Sequence, residues 1–377
     1  MKKSAYIIIL VSVSLCVLGL AFVMSASSTY SNIKFENLFH LFNSHIFRVA
    51  LGLFFLIVFA IIPYDTYKHI SKGLIFFITV VLIYTLFYAP PIKGSGRWIN
   101  LGLMSFQPAD LGKLFLIIHL AVLIERKGDS IQNLKVLILH LFFWVIIISG
   151  LIFFQPNISN GLILIFISLS MFFVGGAKLK HILATSLGSV LGAISIAMIF
   201  EHSRNRMLTF VKSILYGGGI NDQVNQALLA LGSGGLFGQG IGNSKQSNLF
   251  LPESYGDFIF AIIGEELGFI GSVSIIVGYF TIFIAGILVA KKARDTFGQL
   301  LAFGISFSII LNAFITIAVT TGIFPTTGVP LPFISYGGTS IIITCVSVGI
   351  LVNIAILNAK YILPIQKINY GHAEEPV

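Results

Sequence analysis

Apolar runs long enough to cross a bilayer as helices, about 20 residues each, recur along this chain between short polar breaks. Ten are predicted, near 5–26, 47–64, 73–90, 107–124, 136–154, 158–176, 181–200, 257–290, 299–323 and 339–359. The first follows Lys2-Lys3 and could mimic a cleaved leader. Its apolar stretch is long and nine more runs follow, so it reads as a retained anchor. The eighth exceeds what a bilayer needs, which predicts tilt or protrusion. The expected fold is therefore all-α, a polytopic membrane protein of about ten transmembrane helices, with 1–377 as one integral membrane domain. Its largest loop, 201–256, falls between the seventh and eighth helices.

Composition supports solvation by lipid. Of 377 residues, 56% are hydrophobic and only 10% charged, with a mean hydropathy of +0.97; a soluble domain carries about 25% charged residues. Cys16 and Cys345 lie inside apolar runs and read as small buried hydrophobes, not as a disulfide framework or metal site. The eight histidines show no paired-ligand spacing. The net charge of +9 is dispersed over short loops, which argues against a nucleic-acid partner. With ten crossings, 14 of the 23 lysines and arginines fall on the side of the termini, so both termini are expected in the cytoplasm.

The polar motifs concentrate on the opposite, outer face. The string Leu251-Pro-Glu-Ser-Tyr-Gly-Asp257 places an acid at the mouth of an apolar helix, where the positive helix end keeps a carboxylate ionised at little cost. Deeper in that helix, Glu265 and Glu266 need a partner or a wet cavity. Upstream, the glycines of 231–242 let backbone N–H groups approach a ligand or another helix, or form a flexible turn, after a predicted short helix from Asn225. Arg97-Trp98 is either an interfacial anchor or part of a site. Asp110 and Lys113, three apart, share a helix face as a structural ion pair or a hold on an anionic headgroup. Segment 324–340, with three prolines, cannot be a continuous helix, so it must be buried in protein or line a watery cavity. Within it, Ser335 to Ser340 can cap the last span, with Ser335 and Gly337 candidate ligand contacts. Arg204 and Arg206 are candidate phosphate clamps or solvated cations. Nine outer-face cations against six acids leave a surplus of three on the face where basic residues are usually depleted, as an anionic lipid substrate would require.

Several strings together resemble the SEDS family (shape, elongation, division and sporulation), whose members include FtsW, RodA and SpoVE. They are Gly19-Leu-Ala-Phe-Val-Met-Ser-Ala-Ser-Ser28, Arg97-Trp-Ile-Asn-Leu-Gly102, Phe106-Gln-Pro, Leu231-Gly-Ser-Gly-Gly-Leu-Phe-Gly-Gln-Gly240, Asp257-Phe-Ile-Phe, and Pro330-Leu-Pro-Phe-Ile-Ser-Tyr-Gly-Gly338. They span nearly the whole chain in order. The resemblance implies a peptidoglycan glycosyltransferase of the bacterial cytoplasmic (inner) membrane, polymerising lipid II into β-1,4 glycan at the outer face. It implies Asp257 as general base, with Arg97, Trp98, Lys113, Arg204, Arg206, Ser335 and Gly337 as candidate substrate contacts. Asp110, Glu265 and Glu266 are candidate supports. No protein metal site or cofactor is implied; divalent-cation assistance to the diphosphate stays open. A class B penicillin-binding protein transpeptidase is the expected partner, alongside other divisome or elongasome membrane proteins. Lys93-Gly-Ser-Gly-Arg-Trp and Ile262-Ile-Gly-Glu-Glu lean toward the FtsW-like branch and cell division.

Three positions depart from the family pattern. Tyr255-Gly256 stands where His-Thr is common, Gln155-Pro-Asn-Ile-Ser-Asn160 lacks a usual carboxylate, and Asp110 replaces a usual Glu. The rival readings are a lipid II flippase, which needs a polar route through the membrane, and a non-catalytic scaffold of the cell-wall synthesis complex.

Overall fold

A computed structural model describes residues 1–90, 96–100, 102, 105–216, 221–247 and 250–370, except for the side chains of 202, 214, 216 and 360–370. Lys93, in one of the strings above, lies outside them. The membrane helices are α1 (Lys2–Phe35), α2 (His40–Ile61), α3 (Asp65–Tyr88) and α4 (Pro108–Lys127), followed by a span running from α5 (Leu134–Val136) through a π-helical turn (Leu137–Phe142) into α6 (Phe143–Phe154). Next come α7 (Ile158–Val174) and α8 (Leu179–Ile199). Two outer helices follow, α9 (Glu201–Tyr216) and α10 (Asp222–Ser233), and then α11 (Ile259–Lys291), α12 (Thr296–Thr320) and α13 (Ser340–Tyr370). Among the described residues, eight segments meet both length and hydropathy for a crossing. Adding α4, which carries charges at both ends, and the 17-residue α7 gives the expected ten.

α1 is far longer than the predicted 5–26. At about 1.5 Å per residue its 34 residues reach roughly 51 Å, well beyond a ~30 Å hydrocarbon core, so its last turns stand above the membrane. α2 packs along α13, α1 lies against α11, α2 and α13, and α12 lies against α11, α4 and α7. α8 packs chiefly on α7 and α9 and leaves most of its surface to lipid. On the inner side Arg294 pairs with Asp65 and donates to the Tyr64 hydroxyl at 2.8 Å, tying the α2–α3 turn to the α11–α12 turn. Cys16 and Cys345 are buried and free.

The excess length of α11 has a local cause. Gly268 adopts φ 69°, ψ −165° inside it, so Ile259–Leu267 is a short helix set above the main span. A break exposes backbone groups that lipid cannot satisfy. The glycine-rich loop satisfies them: Gln239 N–H donates to Glu265 O at 2.9 Å and Gly240 N–H to Glu266 O at 3.0 Å. In return, Phe269 and Ile270 N–H donate to Gly235 and Leu236 O. The approach is so close that a Cβ on Gly238 (φ +80°) would lie 2.1 Å from Glu266 O. The loop's glycines thus serve another helix, one of the three uses anticipated for them.

The segment between α12 and α13 re-enters the bundle, as its prolines predicted. Leu331, Phe333 and Ile334 are fully buried. Tyr279, about 16 Å down α11 from the break, donates its hydroxyl to Pro332 O at 2.5 Å. Gly19 of α1 admits this turn, since a Cβ there would meet Phe333 O at 2.8 Å.

Candidate active site

The residues before α11 are held one after another. Ser254 Oγ donates to Ala26 O of α1 at 3.1 Å. Tyr255 O accepts from Tyr336 N–H at 2.9 Å. Ser335 Oγ donates to Gly256 O at 2.7 Å and accepts from Leu331 N–H at 2.8 Å. Asp257 follows, half-buried, two residues before the helix begins. It therefore heads the short helix above the break and not the membrane span itself.

Opposite Asp257 lies Gly328, in the left-handed region at φ +73°. A Cβ on Gly328 would sit 3.4 Å from Asp257 Oδ2 and 3.9 Å from Arg97 Nη2, so carboxylate and guanidinium flank one glycine. Arg206 Nη1 donates to Thr326 O at 3.3 Å, two residues away. Burial lowers the pKa of both guanidiniums; for Arg97 the Arg206 charge adds to this, while Asp257 acts in the opposite sense on both. The three charges share one electrostatic neighbourhood assembled from three distant parts of the chain.

Arg97 reaches this point on a small hairpin, β1 (Ile99–Asn100) antiparallel to β2 (Ser105–Phe106). The hairpin docks on the re-entrant segment through Gln107 N–H to Thr339 Oγ1 at 3.1 Å. Gly338 admits it: a Cβ there would lie 2.2 Å from Ser105 O and 3.3 Å from Trp98 Cζ3.

From Arg97 and Arg206 a cavity of about 520 Å³ extends between α7, α8 and α12. Its walls are mainly apolar, with Leu162, Phe166, Leu311 and Phe314 among them. A second cavity of about 120 Å³, of mixed chemistry, has Arg206 in its wall and lies between α9, α10 and the end of α12.

Not every candidate joins this centre. Arg204 is exposed; two positions from Arg206, it faces the other side of α9. Lys113 and Asp110 form a buried pair at 2.9 Å, with Lys113 also donating to Asn160 Oδ1 at 3.1 Å. They line a small chamber of about 40 Å³ of mixed chemistry, together with Asn312, Val329, Pro330 and Pro332; Asp257 is not part of its wall. Asn160, in the string that lacks a carboxylate, is thus a neutral partner for Lys113. Ser335 is buried with its hydroxyl engaged by protein, and Gly337 makes no comparably close approach. Glu265 accepts from Ser244 Oγ at 2.5 Å and from Lys245 N–H at 3.0 Å, and Glu266 accepts from Ser25 Oγ. Both glutamates bind outer-layer groups. Among the described residues no cluster of three His, Cys, Asp or Glu side chains forms a metal site. Reading the sequence missed Gly328, Gly338 and Tyr336 as site-forming residues. The two glycines sat in the quoted segment, but nothing local identified what would approach them.

Fold and geometry together define a polytopic membrane protein whose charged machinery faces outward beside a mainly apolar groove. The family described as cell cycle protein, FtsW/RodA/SpoVE, matches residues 5–360, and the chain belongs to it. It is a multi-pass protein of the bacterial cytoplasmic membrane. The chain is 34% identical over 351 residues to a probable peptidoglycan glycosyltransferase FtsW of Trichlorobacter lovleyi, covering 93% of this chain and 92% of that protein. It is 33% identical over 361 residues to stage V sporulation protein E of Bacillus subtilis, covering 94% and 98%. Among solved structures, a chain of a peptidoglycan synthase complex that coordinates polymerization and crosslinking has a TM-score of 0.75 at 21% identity, covering 93% of this chain and 97% of that one. Rod shape determining protein RodA of Thermus thermophilus has a TM-score of 0.68 at 22% identity, covering 93% and 95%.

Proposed function

We propose that this chain is a peptidoglycan glycosyltransferase that polymerises lipid II at the outer face of the membrane, in cell division. The observation that carries the reading is the convergence of Asp257, Arg97 and Arg206 at the head of the groove. A lipid-linked sugar diphosphate has a long apolar tail, a double negative charge and a sugar. The groove suits the tail, the two guanidiniums suit the diphosphate, and Asp257 suits the sugar hydroxyl.

In the proposed step the acceptor's 4-oxygen attacks the donor's anomeric carbon. The new C–O bond forms as the bond from that carbon to the diphosphate breaks, with inversion; the hydroxyl proton goes to Asp257 and the diphosphate departs on its lipid. Aspartate is a weak base in water, with a reference pKa of about 3.9, so placement beside the hydroxyl must supply much of the rate. Arg97 and Arg206 stabilise the charge that develops on the leaving group in a partly dry site. A flippase would need a polar passage, and the two deep glutamates are held within the fold, Glu265 by Ser244 and Lys245 of the outer loop and Glu266 by Ser25 of α1. Crosslinking requires separate chemistry, and a class B penicillin-binding protein transpeptidase is the proposed partner; the likeness to a chain of a synthase complex supports it.

The test is reconstitution with that partner and labelled lipid II, beside Asp257→Asn. Polymer from the unaltered chain and none from the folded variant is expected. Equal polymer from both would remove Asp257 from catalysis.

A further inference from the structure

Resting on that reading, we propose that Tyr255 is a positioning residue for Asp257. Its ring is wedged between Tyr30 of α1 and Tyr336 of the re-entrant segment, and this wedge fixes where the carboxylate points. The Tyr255 ring lies 5.3 Å from that of Tyr30, tilted, and 5.6 Å from that of Tyr336, edge-on. Each neighbour is itself anchored. Tyr30 accepts from Lys34 Nζ at 2.9 Å, and the Arg48 guanidinium lies 4.4 Å over the Tyr336 ring. The ladder runs from the outer tip of α1 to a buried arginine of α2.

Three features make this ladder a determinant of the site and not general packing. It grips the residue two positions before Asp257, at a place with no regular secondary structure to set the backbone. Glu253, just upstream, is held in the left-handed region at φ 58°, so the turn does not rest in an ordinary conformation by default. The Ser254 hydroxyl and the Tyr255 and Gly256 carbonyls bond to the same two elements that supply Tyr30 and Tyr336. Ring packing and backbone bonding therefore triangulate one short segment. Burial, with the nearby Glu253 charge second, holds the Tyr255 hydroxyl well above the ordinary phenol range, so it stays protonated and does not compete with Asp257 as base.

The hydroxyl shares a side-chain hydrogen bond with Tyr30, but the ring carries most of the role, because both aromatic contacts survive the hydroxyl's removal. Tyr255→Phe is expected to keep kcat within about 3-fold. Tyr255→Ala should lower kcat at least about 10-fold, with KM for lipid II within about 2-fold, since a displaced base costs rate and not binding. Tyr30→Ala, altering the wedge from its outer side, should lower kcat less and in the same sense; it serves if Tyr255→Ala fails to fold. Hydrogen exchange is read on the same proteins without substrate. Amides of Gly256–Ile259 should exchange at least about 10-fold faster in Tyr255→Ala, or in Tyr30→Ala as its substitute, but not in Tyr255→Phe.

Unchanged exchange in the folded alanine variant would overturn the proposal, as would faster exchange with unchanged kcat. A rise in KM alone would assign Tyr255 to substrate contact instead. If the unaltered chain made no polymer, the polymerase reading would fail, while exchange would still judge the wedge.

Discussion

Replacing Gly338 with alanine adds one methyl group where the Arg97 hairpin meets the re-entrant segment. That carbon would lie 2.2 Å from Ser105 O. Carbon–oxygen contacts settle near 3.3 Å, so Ser105 must retreat by about 1 Å. Gly338 is not among the positive-φ residues, so the backbone itself tolerates alanine and the effect is steric. Such overpacking costs about 1–3 kcal/mol, a minor part of the ~5–15 kcal/mol stability of a typical fold. The protein should therefore fold. The displacement passes from Ser105 to its cross-strand partner Asn100 and along the strand toward Arg97. A misplacement of 1 Å can cost about 100-fold in rate, so lipid II polymerisation should fall between 10- and 100-fold on that scale. Unfolding temperature measured in detergent should drop only modestly. Gly150→Ala, in α6 with open space around it, is the control for adding a methyl to a membrane glycine. Full polymerisation by Gly338→Ala would refute the claim that this contact positions Arg97.

Gly238→Ala should unlatch the outer loop, because its Cβ would lie 2.1 Å from Glu266 O at a φ of +80°; faster hydrogen exchange across 235–240 and a lower unfolding temperature are the readouts. Lys113→Met should destabilise the fold by about 3–5 kcal/mol by leaving Asp110 buried and unpaired, and Lys113→Met with Asp110→Leu should recover much of that loss in thermal unfolding. Asp257→Asn should bind a lipid-linked diphosphate at least as tightly as the unaltered chain, since it removes a negative charge beside Arg97 and Arg206. Weaker binding by that variant, measured by titration in nanodiscs, would count against the guanidiniums as the diphosphate site.

The ten crossings, their inside and outside ends, and the broken segment at 324–340 follow from the sequence by itself. Entry into lipid is a property of any 20 consecutive residues, and proline forbids continuous helix wherever it falls. A short string and a family resemblance singled out Asp257 as the candidate base, and the need of Glu265 and Glu266 for partners was legible. Tertiary structure alone decided who those partners are: for Glu265 an outer loop some 20 residues earlier in sequence, laid into a break at Gly268, and for Glu266 Ser25 of α1. It likewise chose Arg206 over Arg204, because only packing decides which side of an outer helix meets the groove. Lys113, readable from sequence as an ion-pair partner or a headgroup contact, is in the fold buried, paired with Asp110 and bonded to Asn160. Arg97, Arg206, Asp257 and Gly328 become neighbours only when the hairpin, α9, α11 and the re-entrant turn pack together. Local composition sets the free energy of entering the membrane; contacts between residues a hundred positions apart depend on how the entered helices fit.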